Sequence, residues 1–156
     1  VKSLPPTVEV DYFIPGCPPE ERTTWPALEA LIQGKLPPRH TVISHNAKAV
    51  CDDCLRKKEA KKVKTFYRTY QITPEPEKCL LEQGLLCAGV ATRGGCGAPC
   101  PKANMPCTGC YGPPEGVIDQ AAHFLSAVAS IIDSNDPEEI QKIVDSIKDP
   151  VGTFSR

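Results

Sequence analysis

The sequence predicts a fold of a few α-helices and much irregular chain, in which long loops wrap closely around a bound group. Seventeen prolines and eleven glycines among 156 residues exceed ordinary usage, and only nine residues are aromatic. Six of the nine cysteines fall between Cys79 and Cys110, interspersed with glycine, alanine and proline. Because this composition disfavours regular helices and strands, the stretch is predicted to be the irregular centre of the molecule.

Composition and charge argue against several classes of protein. The net charge of -1 gives no electrostatic basis for binding nucleic acid or an anionic membrane. No apolar run approaches the roughly 20 residues that cross a bilayer, and the first six residues have no signal-peptide character. The sequence therefore predicts a soluble, cytoplasmic protein with no membrane span and no nucleic-acid partner.

Three chemistries could use the cysteines, and the residues favour iron-sulfur clusters. A disulfide framework is disfavoured because the number is odd, no export signal is present and two pairs have the C-x2-C spacing. A zinc site built from those two pairs would leave five cysteines idle, and 52 residues separate the pairs where a zinc ribbon has about 15 to 20. Two clusters with four thiolates each account for eight cysteines. The C-x2-C pairs are Cys51 with Cys54 and Cys107 with Cys110.

Regular structure is predicted first at the amino end. Residues 7 to 14 are rich in β-branched and aromatic residues, which predicts a strand. A Gly-Cys-Pro-Pro loop follows and holds Cys17, either as a ligand or as a buried small hydrophobe. A helix comes next, with Gly34 as its C-terminal stop and an apolar stripe expected to lie in the core. The stripe consists of Trp25, Leu28, Leu31 and Ile32.

A loop without clear periodicity, residues 35 to 50, leads to the first C-x2-C pair. Its histidines, His40 and His45, are expected to be structural hydrogen-bonding residues rather than ligands. The cysteine pair can reach one metal or two corners of one cluster. The basic run after it, residues 55 to 62, predicts an exposed helix whose charges are solvated, or else a docking patch for an acidic electron-transfer partner.

Beyond Cys110 the pattern changes to two amphipathic helices. The first is predicted to begin at residues 112 to 115 and to end around residues 133 to 135. Asp136 is expected to cap the second, with proline at its first position and Glu139 completing a capping box. Together they predict a helical hairpin that covers the cysteine-rich part. The apolar faces are Ile118, Ala121, Ala122, Leu125, Val128, Ala129 and Ile132 in the first helix and Ile140, Ile143, Val144 and Ile147 in the second.

Several motifs in a fixed order carry a family resemblance. They are G-C-P-P, C-x2-C, C-L-x-E-x-G-x2-C, C-x3-C-P, P-C-x-G-C and G-P-P-E-G-V-I-D-Q. This order closely resembles the C-terminal two thirds of the small, electron-transfer subunit of nickel-iron hydrogenases. The similarity is closest to the cytosolic methyl-viologen-reducing, or factor-420-non-reducing, group, and it covers essentially the whole chain.

The resemblance implies how the cysteines are shared among 4Fe-4S clusters. Cys17 would be a ligand of the proximal cluster, which is nearest the nickel-iron centre of the large subunit. Many relatives have histidine where this chain has Cys51, and membrane-associated relatives lack a cysteine at Cys100. Two complete, all-cysteine 4Fe-4S clusters follow, and neither His40 nor His45 is needed. The distal cluster would take Cys51, Cys54, Cys79 and Cys87, and the medial cluster Cys96, Cys100, Cys107 and Cys110.

The resemblance also implies a domain organisation. In the family, three further ligands of the proximal cluster come from an N-terminal flavodoxin-like α/β domain, and no cysteine precedes Cys17 here. Residues 1–36 are therefore expected to be the last strand and helix of that domain, most of which is missing. A two-cluster iron-sulfur domain, 37–112, and a C-terminal helical hairpin and tail, 113–156, follow.

The function implied by the resemblance is electron relay. Hydrogen would be split in a separate large subunit, since this chain carries no nickel site. The expected acceptors are an iron-sulfur subunit and a flavin-containing heterodisulfide reductase, which implies a role in methanogenesis. The alternatives are the equivalent subunit of a nicotinamide-linked sulfhydrogenase, and a ferredoxin-like or zinc-binding structural module without hydrogenase activity.

Overall fold

Regular structure is short and sparse in the computed structural model of the chain, which describes residues 8–43, 46–59 and 62–154. The expectation of a few helices joined by much irregular chain is confirmed for this part of the chain. The elements are β1 Tyr12–Phe13, α1 Glu21–Ile32, β2 Thr41–Val42, α2 Val50–Asp53, a 3-10 helix Ala88–Ala91, α3 Pro99–Lys102, α4 Gln120–Ala129, α5 Pro137–Asp145 and α6 Pro150–Phe154.

The strand predicted over residues 7 to 14 is shorter than expected. Only two residues of it pair, and residue 7 lies outside the described residues. The partner strand β2 falls within the segment predicted to be a loop, and it runs parallel to β1. A two-residue strand has no apolar alternation of its own, so periodicity could not reveal it. In register, Tyr12 pairs with Thr41 and Phe13 with Val42.

Helix α1 forms where it was predicted, but its apolar stripe is not in the core. The helix ends before Gly34, which has the left-handed φ of 65° that favours glycine there. The buried side of α1 carries Thr23 and Ala27 instead. Because periodicity identifies an apolar face without identifying what covers it, the expected burial was wrong. Trp25 is 67% exposed, Leu28 44%, Leu31 56% and Ile32 85%.

The long central segment is held by single backbone bridges. The amide of Lys57 donates to the carbonyl of Glu77 at 2.7 Å, and the amide of Cys79 donates back to the carbonyl of Lys57 at 2.8 Å. The amide of Val63 donates to Ile131 at 2.8 Å. The helix predicted for residues 55 to 62 is wrong for the residues described there, because these amides bond to distant segments instead of to the preceding turn.

Helix α4 begins later than predicted, at Gln120. The Asp119 carboxylate caps it by accepting a hydrogen bond from the amide of Ala122 at 3.0 Å. Ile118 precedes the helix and is fully exposed, and Leu125 is 51% exposed. The face that is buried centres on Phe124 and Val128.

Helix α5 begins where it was predicted, although the capping box is wrong. Asp136 accepts a hydrogen bond from the amide of Glu138 at 3.3 Å, and Pro137 is the first helical residue. The carboxylate of Glu139 accepts from the Ser134 hydroxyl at 2.7 Å instead of from the Asp136 amide. The Ser134 hydroxyl therefore binds the Glu139 carboxylate, which in a capping box would accept a hydrogen bond from the Asp136 amide.

Two separate apolar cores are buried. Helix α4 lies against the 3-10 helix Ala88–Ala91 and against α6. Its core, here called the helical core, contains Val63, Phe66, Ala88, Ala91, Phe124, Val128, Ile131, Ile143 and Ile147. The second, here called the cysteine core, contains Val50, Cys96, Ala98, Cys107 and Tyr111, with Cys54 and Cys87 against it.

Candidate metal centre

Four cysteines from three segments of the chain form a first group. Helix α2 carries Cys51 and is followed directly by Cys54, and the hydrogen bond from the Cys79 amide to Lys57 holds the next cysteine beside this pair. Cys87 directly precedes the 3-10 helix. The Cys51 thiol is near enough to the other three thiols to interact with each of them electrostatically. The structure thus brings together the cysteines expected at the distal cluster, whose role as ligands stays a prediction.

A second group of four cysteines lines one cavity of about 410 Å³ with largely apolar walls. Helix α3 carries Cys100, and Ala98 turns the chain into this helix with a left-handed φ of 53°. Cys17, an exposed residue, also lines the cavity. The four cysteines of the group are those expected at the medial cluster, and their ligand role likewise stays a prediction. They are Cys96, Cys100, Cys107 and Cys110.

The two groups meet at Gly89 in the 3-10 helix. A methyl group at this residue would lie 3.5 Å from the Cys51 sulfur, 3.7 Å from the Cys87 sulfur and 3.7 Å from the Cys107 Cβ. The amide of Cys107 donates a hydrogen bond to the Cys87 sulfur at 3.2 Å. The first and second groups are therefore in direct contact.

Hydrogen bonds reach two of the sulfur atoms. Besides the bond from the Cys107 amide to the Cys87 sulfur, the Cys107 sulfur lies 3.8 Å from the Thr92 hydroxyl oxygen. A hydrogen bond donated to sulfur favours the charged thiolate over the thiol. Such bonds also fix the orientation of a ligating thiolate and tune its electronic properties.

Burial of the thiols acts in the opposite direction. It raises the pKa of Cys51 from 9.0 to about 11, although Lys58 opposes the change, and the pKa of Cys87 from 9.0 to about 12. Burial also raises the pKa values of Cys96 and Cys107. These thiols are protonated at neutral pH in the metal-free chain, so binding of a metal group must release protons.

The donor set fits iron-sulfur clusters. Each group offers four thiols, which is the number that a 4Fe-4S cluster uses. All nine cysteines lie in the described part of the chain, and none forms a disulfide. Within residues 8–43, 46–59 and 62–154, no three His, Cys, Asp or Glu side chains stand close enough to share one metal ion. The four thiols of the second group line a cavity and are not close enough together to bind a single metal ion.

Two residues near the cysteines were not singled out from the sequence. The Asp53 carboxylate accepts hydrogen bonds from the amides of Gly95, at 2.7 Å, and Gly97, at 3.2 Å, and so fixes both neighbours of Cys96. Arg56 is buried although the sequence predicted a solvated run. Their position in the sequence could have indicated both residues, because each charged side chain lies within two residues of a C-x2-C cysteine.

His40 has the structural role that was expected. Its amide donates to the carbonyl of Asp11 at 2.6 Å, and its Nδ1 lies 3.0 Å from the carbonyl oxygen of Val10. These contacts connect the start of β2 to the chain that enters β1. His45 lies outside the described residues.

Known proteins similar to this chain are components of hydrogenases, although no family model matches it. It is 45% identical over 130 residues to a component of the F420-non-reducing hydrogenase of Methanococcus voltae, an alignment that covers 83% of this chain and 43% of the relative. It is 42% identical over 148 residues to the iron-sulfur component of the F420-non-reducing hydrogenase of Archaeoglobus profundus, covering 91% and 46%. Identity to the corresponding component of the F420-non-reducing hydrogenase of Methanothermus fervidus is 41% over 108 residues, covering 66% and 85%.

The nine thiols and these relatives together define an iron-sulfur subunit of a hydrogenase. More specifically, the chain belongs to the family of iron-sulfur subunits of F420-non-reducing hydrogenases. It spans less than half the length of the first two relatives, 43% and 46%. In the described ranges, no helix is long and apolar enough to cross a membrane.

Proposed function

We propose that this chain is the electron-relay part of a cytoplasmic nickel-iron hydrogenase and holds two 4Fe-4S clusters. The observation that carries the proposal is the direct contact between two groups of four thiols at Gly89. Electrons would enter from the large subunit, where hydrogen is oxidised. When bound, such clusters supply one-electron chemistry at potentials set by ligation, hydrogen bonds to sulfur and exposure to solvent. The distal ligands would be Cys51, Cys54, Cys79 and Cys87, and the medial ligands Cys96, Cys100, Cys107 and Cys110.

The chain's own residues would set the environment of both clusters. Val50 is 1% exposed and Ala98 is fully buried, so apolar side chains form the inner wall of the second group's cavity, whereas Cys17 and Cys110 are exposed. The amide of Cys107 donates to the Cys87 sulfur, which would stabilise a thiolate there without adding a titratable group. In such partly desolvated surroundings nearby charges act more strongly than in water.

A third, proximal cluster would use Cys17 together with three ligands from an N-terminal flavodoxin-like domain. Three observations support this proposal. Cys17 is exposed, the apolar stripe of α1 is exposed, and β1 and β2 form a parallel pair, which is the arrangement of α/β domains whose sheets are covered on both faces. Relatives more than twice the length of the aligned region are consistent with such a domain.

The electron acceptor would dock beside Cys54. Leu55 is 89% exposed there, beside the Lys57 side chain, which is 67% exposed and forms an ion pair with Glu77. An apolar contact next to an exposed lysine suits a partner with an acidic surface. The proposed partner is an iron-sulfur subunit that passes electrons to a flavin-containing heterodisulfide reductase. A nicotinamide-linked sulfhydrogenase would use the same cysteines, and only the identity of the co-purifying partner separates these alternatives.

The test is anaerobic purification of the chain with its natural complex, followed by analysis of iron, acid-labile sulfide and bound subunits. About eight irons with matching sulfide per chain, beyond those of the proximal cluster, are expected from two 4Fe-4S clusters. A nickel-containing large subunit should co-purify. Zinc without acid-labile sulfide would refute the electron-relay proposal and would favour a structural zinc-binding module.

A further inference from the structure

The guanidinium of Arg56 is buried and makes five hydrogen bonds. The residue is 8% exposed. Its Nε and Nη2 donate to the carbonyl of Pro101 at 3.0 and 2.9 Å. Its Nη1 donates to the carbonyls of Glu75, at 2.7 Å, and Lys78, at 2.9 Å, and Nη2 also donates to the side-chain oxygen of Asn104 at 2.5 Å. All five N–H groups of an arginine are accounted for.

None of these acceptors carries a charge. The ion pairs formed by described residues involve other side chains, and none includes Arg56. A buried cation without a counterion is costly even when it is fully hydrogen-bonded. Its charge is therefore available to an anionic group bound close by, and thiolate-ligated clusters are such groups.

Two of the four residues that accept hydrogen bonds from Arg56 are immediate neighbours of cysteines, one in each group. Lys78 directly precedes Cys79 of the first group, and Pro101 directly follows Cys100 of the second. Arg56 itself lies two residues after Cys54. One guanidinium thus connects three separate segments, each of which carries a thiol.

We infer that Arg56 is a positioning residue which fixes the two cysteine groups relative to each other, and that its buried charge raises the reduction potentials of the clusters they hold. This inference rests on the proposed function. Each one-electron reduction makes a bound cluster more negative, so a nearby positive charge stabilises the reduced form more than the oxidised form. A lysine could supply the charge but could not replace the planar fork that bonds to four acceptors.

The experiment uses the anaerobically purified complex with four forms of the chain. Arg56→Gln removes the charge and most of the fork, whereas Arg56→Lys removes the fork alone. Lys142→Gln is the control, because it removes one charge from an exposed side chain of α5, an element that carries no cysteine. Midpoint potentials are measured by EPR-monitored redox titration, and iron retention is measured after mild heating.

Arg56→Gln is expected to shift at least one midpoint potential to a more negative value, and Lys142→Gln is expected to leave the potentials at the wild-type values. Arg56→Lys is expected to keep the potentials near wild type and to lose iron faster on heating. Wild-type potentials in Arg56→Gln would overturn the electrostatic role, and wild-type iron retention in Arg56→Lys would overturn the positioning role. If Arg56→Gln fails to assemble, Arg56→Lys still tests whether the planar guanidinium is needed. A midpoint potential in Arg56→Lys that differs from wild type would contradict the inference, because lysine keeps the positive charge. Absence of iron and sulfide from the wild-type chain would instead refute the proposed function.

Discussion

The amide of Cys107 donates a hydrogen bond to the sulfur of Cys87 at 3.2 Å. The donor belongs to a residue whose own thiol lies in the second cysteine group, while the acceptor belongs to the first. A second bond runs between the same segments, from the amide of Ala88 to the carbonyl of Cys107 at 2.9 Å. Two peptide units therefore fix the contact between the groups, and the spacing of any bound clusters depends on this short piece of backbone.

Gly89 is predicted to tolerate alanine but not valine. A methyl group would meet the nearest sulfur at 3.5 Å, which is ordinary van der Waals contact, whereas the two further methyls of valine have no free space between the groups. Overpacking of this kind costs roughly 1 to 3 kcal/mol. Iron content and thermal stability of Gly89→Ala should match wild type, and both should fall in Gly89→Val. Equal values in the two variants would show that the groups are not tightly apposed.

Cys100→Ser is predicted to remove or convert the medial cluster. Cys17→Ser is the matched control, because Cys17 lines the same cavity but is not a member of the proposed medial set. Iron analysis and EPR spectra should change in the first variant in the signals of the medial cluster, and hydrogen-dependent dye reduction should slow. The second variant should keep those medial signals. Unchanged spectra and rate in Cys100→Ser would mean that this ligand assignment is wrong.

The stability of the metal-free chain is predicted to fall between pH 9 and pH 11. Burial raises the pKa of Cys51 from 9.0 to about 11, and unfolding returns it to the lower value. In that window the unfolded chain has lost protons that the folded chain keeps, so the free energy of unfolding decreases as pH rises. Below pH 9 both states hold these protons, and the contribution is constant.

Urea unfolding of the metal-free chain at a series of pH values measures this effect. Cys51→Ala should weaken the dependence on pH, because it removes one of the thiols whose pKa is raised. A midpoint that is flat from pH 9 to pH 11 in the wild-type chain would contradict the prediction.

Asp53→Asn is predicted to destabilise the chain by roughly 1 to 3 kcal/mol. The substitution removes the charged acceptor of the Gly95 and Gly97 amides, which flank a cysteine of the second group. Asp52→Asn is the matched control, since the hydrogen bond that this carboxylate accepts among the described residues comes from the exposed amide of Ala49, which water can also serve. Urea midpoints and iron retention should fall clearly more in Asp53→Asn. Similar losses in both variants would remove the special role of Asp53.

Trp25→Ser is predicted to change the free energy of unfolding of this chain by less than about 0.5 kcal/mol, because the side chain is 67% exposed. Ala27→Ser is the control on the buried side of the same helix, where an added hydroxyl costs roughly 1 kcal/mol. In a longer chain that includes the proposed flavodoxin-like domain, Trp25→Ser should become the more costly substitution. If it stays neutral there, the stripe of α1 is not covered by that domain.

The sequence was most informative where chemistry is local. Asp136 followed by proline identified the start of α5, and glycine at position 34 identified the end of α1, because caps depend on residues within one turn. The grouping of the cysteines followed a family resemblance. The structure places the members of each set near one another, and their roles as ligands stay a prediction.

Long-range contacts could not be predicted from the sequence. Arg56 belongs to a run of basic residues whose other described members are exposed, and only its contacts with Pro101 and Glu75 distinguish it. Likewise the stripe of α1 has the periodicity of a buried face, while its exposure depends on what the rest of the protein supplies. In both cases the missing information is the identity of a partner distant in sequence.

The separation of the two apolar cores has a consequence for biogenesis. The helical core contains no cysteine, whereas the cysteine core is built around four of them. We expect the helical core to form during synthesis without any metal, so that α4 already holds the 3-10 helix next to Cys87 when cofactor delivery begins. Maturation would then be a local adjustment of the loops around the thiols on a support that is already folded.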